Sequence, residues 1–412
     1  MSLSLNSVSV CLRAQLRLAR ALGVLVLALF MFAMEARAQS TGSIPVPYDS
    51  SVKRMGVTVV SGSPELTALL QNLFKIHGAF DLAAPGLAQY TLRGDLTPSG
   101  RVSITVEPKA LGGASFTASS AGANWREAAY RAADEVVEKL TTYPGFFAGR
   151  LAFVSTRTRS SELYTSDVLG QNIQQLTDDH SKSEFPHWSP DGTKLVYMGY
   201  YKSGFPDVIL FNLEARTRTA IANYKGTNTG AIFSPDGSRV AMILSYTGTP
   251  QLYVADANGK NLRALTKTSG LKVSPTWSPD GQKIILAWDP QGEPLLYQVS
   301  ASGGAMEPLA TGIPRYSGDP AWNPRDPDLV AFMEEQGSGS CIAVYSFKTH
   351  SSEVYDAIEG SYPCWANDGR HIFFMHLLGK QEQLYLLDTV TKKISKLTSL
   401  GASDPAFYYP AK

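Results

Sequence analysis

A turn sequence that returns on a near-constant step limits this chain more than anything else in it. Pro186-His187-Trp188-Ser189-Pro190-Asp191-Gly192 is followed by Ala231-Ile232-Phe233-Ser234-Pro235-Asp236-Gly237 and by Pro275-Thr276-Trp277-Ser278-Pro279-Asp280-Gly281. Weaker copies stand at Pro320-Ala321-Trp322-Asn323-Pro324 and Pro363-Cys364-Trp365-Ala366-Asn367-Asp368-Gly369, with a last fragment at Asp404-Pro405-Ala406-Phe407. The aromatic anchors step by 45, 44, 45, 43 and 42 residues. A period of that size means helical arrays or propeller blades.

The content of each unit decides between them. After each turn comes a short apolar run: Lys194–Tyr197, Arg239–Ile243, Lys283–Leu286, Asp328–Phe332 and His371–Phe374. A second run follows, as in Gln251–Asp256 and Gln383–Asp388, and a third ends in Leu-Thr, as in Leu265-Thr266 and Leu397-Thr398. None has helical spacing or length, so each unit reads as four short strands. In Ser-Pro-Asp-Gly, Pro presets φ, Asp bonds its own backbone and Gly takes the positive φ, which makes a hairpin turn between strands A and B. The aromatic before it belongs on strand A, packed between neighbouring blades.

The first unit, Arg150 to Thr177, supplies strands B, C and D and no anchor, whereas Asp404 to Tyr409 supplies only a strand A. The expected ring is therefore a six-bladed β-propeller over residues 148–412, closed by its C-terminal strand, since closure removes exposed sheet edges. Residues 39–147 carry no repeat. Met55–Val60, Gln89–Leu96, Arg101–Glu107 and Ala114–Ser120 read as strands. Two helices start at Ser63-Pro64-Glu65 and Asn124-Trp125-Arg126-Glu127, with Leu66, Leu69, Leu70, Leu73 and Ile76 on one face of the first. Trp125, Ala129, Ala132, Val136 and Leu140 mark a face of the second. The fold expected is mainly β, the propeller preceded by a small α/β domain.

Residues 1–38 read as a cleaved signal peptide: Arg13, Arg17 and Arg20, an apolar run from Ala21 to Met34, then Ala36-Arg37-Ala38. Export places the chain in the periplasm. Cleavage removes four Arg and one Glu, so basic residues fall from 37 to 33, acidic ones from 36 to 35, and the net charge from +1 to −2. That balance gives no reason to propose nucleic acid. Cys341 and Cys364 remain, as a disulfide or as two buried thiols.

Asn124–Leu140 and Gly145–Val154, together with the Ser-Pro-Asp-Gly units and the terminal half-unit, resemble the TolB family of Tol-Pal periplasmic proteins over residues 55–412. The resemblance implies a non-enzymatic, monomeric scaffold that supports outer-membrane integrity and cell division, with no cofactor and no metal. It implies a peptidoglycan-associated lipoprotein (Pal) bound at one propeller mouth, and a TolA-like inner-membrane protein bound by the mature N-terminus. The loops leading into strand A would then be the partner-binding residues: Glu184, Phe185, Thr227, Asn228, Thr229, Gly230, Val273, Ser274, Asp319, Tyr362 and Asp404. The chain departs from the family at Thr227-Asn228-Thr229 and Lys272-Val273-Ser274, where His/Asn-rich segments are common, and at Pro45 and Pro47.

Two other readings use the same fold. One is a Ca²⁺-dependent lactonase- or esterase-like propeller with Glu184, Asn228, Asp319 and Asp404 around an axial ion. The other is a glycan binder stacking sugars on Tyr362 and Phe185. The sequence carries no hydrolase Gly-x-Ser-x-Gly followed by a hydrolase domain, no His-Glu-x-x-His and no Walker motif.

Overall fold

The computed structural model describes residues 52–410 except 111, 112, 202, 315, 338 and 398–400. The signal segment, and residues 39–51 of the stretch assigned to a TolA-like partner, lie outside them. No helix among the described residues is long and apolar enough to cross a membrane.

The N-terminal part is one mixed sheet with two helices. β1 (Met55–Ser61) lies between β2 (Phe80–Leu82) and β3 (Tyr90–Leu96), parallel to both; β4 (Val102–Pro108) and β5 (Phe116–Ser120) continue antiparallel. The short strand β2 has no counterpart in the sequence reading, because three residues carry no measurable alternation. Helix α1 (Pro64–Ile76) is capped by the Ser63 hydroxyl, which accepts the Leu66 N–H at 3.2 Å. Leu66, Leu69, Leu70 and Leu73 are buried as expected, with Phe74 in place of the half-buried Ile76. Helix α2 (Trp125–Thr141) starts where Asn124 Oδ1 accepts the N–H groups of Arg126 and Glu127, both at 3.0 Å. Its buried stripe also takes in Ala128, Tyr130, Ala133, Asp134 and Val137. The stripe is wide because α2 covers β4 and β5, and its Tyr130 also bonds Asp167 of the propeller.

Six four-stranded antiparallel sheets follow. Blade one is made of Ser403–Tyr408, Arg150–Ser155, Glu162–Asp167 and Gln174–Gln175, so the last strand of the chain is strand A of the first blade. Phe407 pairs with Leu151 and Ala406 with Ala152. Blades two to six have strands A at Ser183–Trp188, Asn228–Phe233, Leu271–Trp277, Ser317–Trp322 and Ser361–Trp365. The Ser-Pro-Asp-Gly turns work as their chemistry dictates. Ser189 Oγ donates to Asp191 Oδ1 at 2.6 Å and accepts the Lys194 N–H at 2.9 Å, and Gly192 sits at φ +68°. That hydroxyl, ahead of a small burial effect, draws the Asp191 carboxyl down to about 2.

The Leu-Thr run corrects the sequence reading. In blades one and three, strand D has only two residues, and Leu-Thr follows it. The threonine is a clasp instead: Thr266 Oγ1 accepts the Leu252 N–H at 3.0 Å and donates to Gln251 Oε1 at 2.8 Å. Thr177 does the same with Leu163 N and Glu162 Oε2, at 2.9 and 2.6 Å. The first residue of strand C thereby holds the loop that leads to the next blade.

Trp188, Trp277 and Trp365 each donate an indole N–H to a strand-A carbonyl of the preceding blade: Ala406 at 3.2 Å, Ile232 at 3.2 Å and Ala321 at 3.0 Å. Trp322 differs. It donates to Pro327 in its own turn at 2.8 Å and is only half-buried. Cys341 and Cys364 are thiols, and Phe407 donates its N–H to Cys364 Sγ at 3.2 Å.

The N-terminal part docks on the end of the propeller that carries the A–B and C–D turns. Tyr130 OH donates to Asp167 at 2.8 Å, Asn367 to the Gly145 carbonyl at 3.2 Å, and Tyr409 to Asp134 at 2.9 Å. One hydrophobic cluster runs through Phe74, Phe146, Phe147, Phe153 and Phe373, so the two parts share a core.

Candidate functional site

Strand A lines the axis, and all six copies share a kink there. In blades two to six and one the kink residue is Phe185, Gly230, Ser274, Asp319, Tyr362 and Asp404, with φ between +47° and +61°. Each lies three residues before its blade's aromatic anchor, and the pairing register shifts beside it in every blade. This is a β-bulge, which bends a strand and re-aims its side chains. Five of the six residues are not glycine, and a left-handed conformation there costs on the order of 1 kcal/mol or more each.

Hydrogen bonds around the ring offset that cost. Ser274 Oγ donates to Asp319 Oδ1 at 2.8 Å, and the Tyr362 backbone N–H also reaches the Asp319 carboxyl. The Phe185 N–H reaches Asp404 Oδ2 at 3.4 Å. A carboxyl on one blade thus takes a bulge N–H from the next. Phe185 and Tyr362, from blades two and six, form a tilted pair with ring centroids 6.1 Å apart. The centre gathers carboxyl groups: Asp404 is buried, and Asp319 is half-buried beside it. Burial lifts the Asp319 carboxyl to about 6, against its hydrogen bonds from Ser274 and Tyr362. Burial lifts Asp404 well above the usual range, helped by Glu184 and Glu382. The Tyr362 phenol is raised by burial and then by Asp319 and Asp404.

The eleven residues expected at the mouth divide into two kinds. Phe185, Gly230, Ser274, Asp319, Tyr362 and Asp404 converge on the axis as described. Glu184 pairs with Lys182 beside them. Thr229 and Val273 are half-buried neighbours of the kinks, and the Thr227 N–H bonds Ser245 Oγ at 2.7 Å. Asn228 does not face the mouth. It is fully buried, accepts the Tyr224 N–H at 3.0 Å, and donates to the carbonyls of Tyr224 and Pro206 at 2.8 and 2.9 Å. Its place as a contact residue is therefore corrected: it fastens the loop from within. Its amide oxygen, engaged by the Tyr224 N–H, is tied to the loop backbone.

The sequence reading passed over an aromatic rim. Ser183, Gly199, Asp207 and Ala222 share one edge of blade two, so the B–C loops open at the same end as the loops into strand A. These loops carry Tyr201 and Phe205 in blade two and Tyr246 in blade three, with Tyr224 between the blades. Phe205 is 67% exposed, and Tyr224 and Tyr246, 39% and 41% exposed, stack with centroids 4.8 Å apart. The Arg218 guanidinium lies 3.8 Å over the Tyr201 ring. Clustered aromatics in turn-rich loops were the available signal. On blade four, buried Lys272 donates to the carbonyls of Thr268, Ser269 and Gly270 at 2.9, 3.1 and 3.1 Å, and burial lowers it to about 8.

Among the described residues, two clusters bring ligand-type residues together. Glu162 lies near Asp178 and His180, but its oxygens accept Thr177 Oγ1 and the N–H groups of Asp179 and His180. The other, His77 with Asp368 and His371, sits on the opposite end, where both His371 ring nitrogens are hydrogen-bonded, to Asp368 and to the His77 carbonyl. A cleft of about 350 Å³ lies off the axis and is lined by Ser346, Glu353, Tyr355, Trp365 and Thr389 among others.

Comparison with known proteins gives a consistent picture. The model of the family described as TolB beta propeller domain matches residues 137–408. A Tol-Pal system protein TolB from Anaeromyxobacter sp. (strain K) is 35% identical over 138 residues, 34% of this chain and 31% of that relative. One from Bordetella pertussis (strain Tohama I) is 30% identical over 180 residues, 42% of this chain and 40% of that relative. The matched stretches span less than half the length of these relatives. In fold, the chain is similar to the crystal structure of TolB from Acinetobacter baumannii, with a TM-score of 0.78 at 20% identity, covering 86% of this chain and 97% of that one. It also resembles, at TM-score 0.51 and 11% identity, a chain of the nidogen/laminin complex, over 64% of this chain and 99% of that one.

Proposed function

Since this chain belongs to the TolB β-propeller family, we propose that it is a non-catalytic periplasmic binding protein of a Tol-Pal system. The observation that carries this reading is the family match across residues 137–408, which takes in all six blades. The partner at the propeller mouth is a Pal-like lipoprotein, and the complex serves outer-membrane integrity and division. Binding energy in such interfaces concentrates in a few aromatic anchors ringed by polar groups. Phe205, Tyr201, Tyr224 and Tyr246 are the anchors, and the axial ring of Asp319, Tyr362 and Asp404 is the polar floor. The mature N-terminus from Gln39 takes a TolA-like protein.

Calorimetric titration of residues 39–412 with the organism's own Pal periplasmic domain tests this. One-to-one binding, weakened about tenfold or more by Phe205→Ala or Tyr246→Ala, is the expected result. Absence of binding at high micromolar concentration rejects the Pal assignment. Full affinity in both variants rejects the rim.

A further inference from the structure

The contact between the N-terminal part and blade six is made of charge sealed from solvent. His371 is fully buried. Its Nδ1 lies 2.6 Å from Asp368 Oδ2 and its Nε2 lies 2.7 Å from the His77 carbonyl oxygen. Both partners are acceptors. Asp368 is held as a carboxylate because its other oxygen takes the N–H groups of Arg370 and His371, each at 3.0 Å. Both ring nitrogens of His371 must therefore carry hydrogen, which makes it an imidazolium with no lone pair for a cation.

The sequence explains why this happens only here. In the Ser-Pro-Asp-Gly turns the Asp is tied to its Ser hydroxyl. Blade six has Ala366 in place of that Ser, so Asp368 turns to His371. Arg370 pairs side by side with Asp388, Nε to Oδ1 at 2.8 Å and Nη2 to Oδ2 at 2.6 Å. Asp388 Oδ2 is 3.8 Å from His371 Nε2. The set thus holds two cations and two carboxylates, and it balances only while His371 is protonated. A buried charge left without its partner is strongly unfavourable.

The other side of the contact is the end of α1. His77 is its C-terminal cap, and the next residue, Gly78, has φ +78° and lies so close to Asp388 that a Cβ would overlap its carboxylate. The His77 ring packs edge-on against His371 at 4.7 Å, and neither of its nitrogens has a hydrogen-bond partner among the described residues. Burial, then the charge on His371, keeps His77 neutral. The remaining charged neighbours are Asp134 on α2, which interacts with Asp368 by charge and accepts the N–H groups of Phe147 and Ala148 and the Tyr409 hydroxyl, and Lys393, which donates to the Lys75 carbonyl at 2.5 Å. Arg54 and Asp81 pair with each other near Lys393, and Arg370 lies 5.0 Å over the Tyr143 ring.

We propose that protonated His371 is a latch that holds the C-terminal turn of α1 on blade six, and that losing this proton releases the turn. This goes beyond partner binding at the mouth and is independent of it. The sign follows from linkage. Burial alone would lower His371, but the carboxylates of Asp368 and Asp388 outweigh it and raise the group above its ordinary value. The latch is complete below about pH 6.5 and is lost as pH climbs through the raised value.

Histidine ¹⁵N resonances of the chain 39–412, with His371 assigned by its loss in His371→Gln, test the protonation. Both nitrogens protonated at pH 7, with a midpoint above 6.5, is expected; a neutral ring at pH 7 overturns the proposal. Amide exchange then reads the latch. Opening of residues 73–79, relative to strand β4, should rise by up to about tenfold per pH unit between 6.5 and the His371 midpoint. It should be high and flat with pH in His371→Gln. A wild-type ratio that does not change between pH 6.5 and the midpoint rejects the latch, and this readout is taken on the wild-type chain.

Discussion

Replacing Trp277 by Ala measures what holds neighbouring blades together. The ring is buried between blades three and four against Ile243, Leu252, Val254, Ile284 and Leu286. Its indole N–H bonds the Ile232 carbonyl at 3.2 Å, and the Arg239 guanidinium covers it at 4.7 Å. Truncating a buried Trp costs about 3–5 kcal/mol, and a buried carbonyl left without its donor adds about 1 kcal/mol. The upper half of that range is expected, or a fall of roughly 10 °C in melting temperature for a chain of this size. Trp322 is the control. It stands at the equivalent position, but it is half-buried and its N–H stays within its own turn. Trp322→Ala should cost about half as much. Urea unfolding of residues 39–412 gives both numbers. Trp277→Phe, which keeps most of the packing and loses the bond, should fall between wild type and Trp277→Ala. Equal losses for Trp277→Ala and Trp322→Ala would refute the idea that the inter-blade hydrogen bond and burial distinguish the two anchors.

Removing residues 403–410 takes strand A from blade one and exposes the edge of Arg150–Ser155. The truncated chain should melt far below the full one and aggregate, and a melt matching the full chain would contradict a ring closed by that strand. The axial Asp319 has its carboxyl raised by burial, so it favours the folded state when protonated and opposes it once ionised. The wild-type urea midpoint should therefore fall between about pH 4 and pH 6 and level off above, and Asp319→Asn should flatten that slope; an identical slope in both would remove Asp319 as a raised acid.

The propeller was legible because its signal repeats. A single Ser-Pro-Asp-Gly is a turn and nothing more, but a turn, an anchor and two apolar runs on one period leave few folds that can bury them. The helix starts at Ser63 and Asn124 were legible for a similar reason, since caps are local chemistry. Helix faces were less so. Phe74 replaced Ile76, and α2 buried two sides, because which flank is covered depends on strands and blades distant in sequence. Strand D was misread at Leu-Thr because the pair looks like the end of a strand, whereas Thr266 and Thr177 spend their hydroxyls on strand C.

The site was legible as positions but not as roles. Counting back three residues from each anchor finds Phe185, Gly230, Ser274, Asp319, Tyr362 and Asp404, yet no pattern in those six letters announces a left-handed backbone. Phe and Tyr are unexpected there, and the conformation is held by neighbours on other blades. Asn228 shows the reverse error. A polar residue in a loop reads as surface, but a buried loop end needs its backbone groups satisfied, and a short amide does that from inside. His371 was hidden for a third reason. It follows a degenerate copy of the repeat, and a degenerate copy reads as a loss of signal. The Ser that is missing at Ala366 is what lets Asp368 leave its turn. The departures from the repeat therefore mark where the chain does something other than close a blade. Blade five, with Asn323 in the serine position, bonds its Asn323 Nδ2 to the Gly369 carbonyl of blade six at 2.8 Å. The two weakest copies are thus joined to each other, and the second of them carries the N-terminal part.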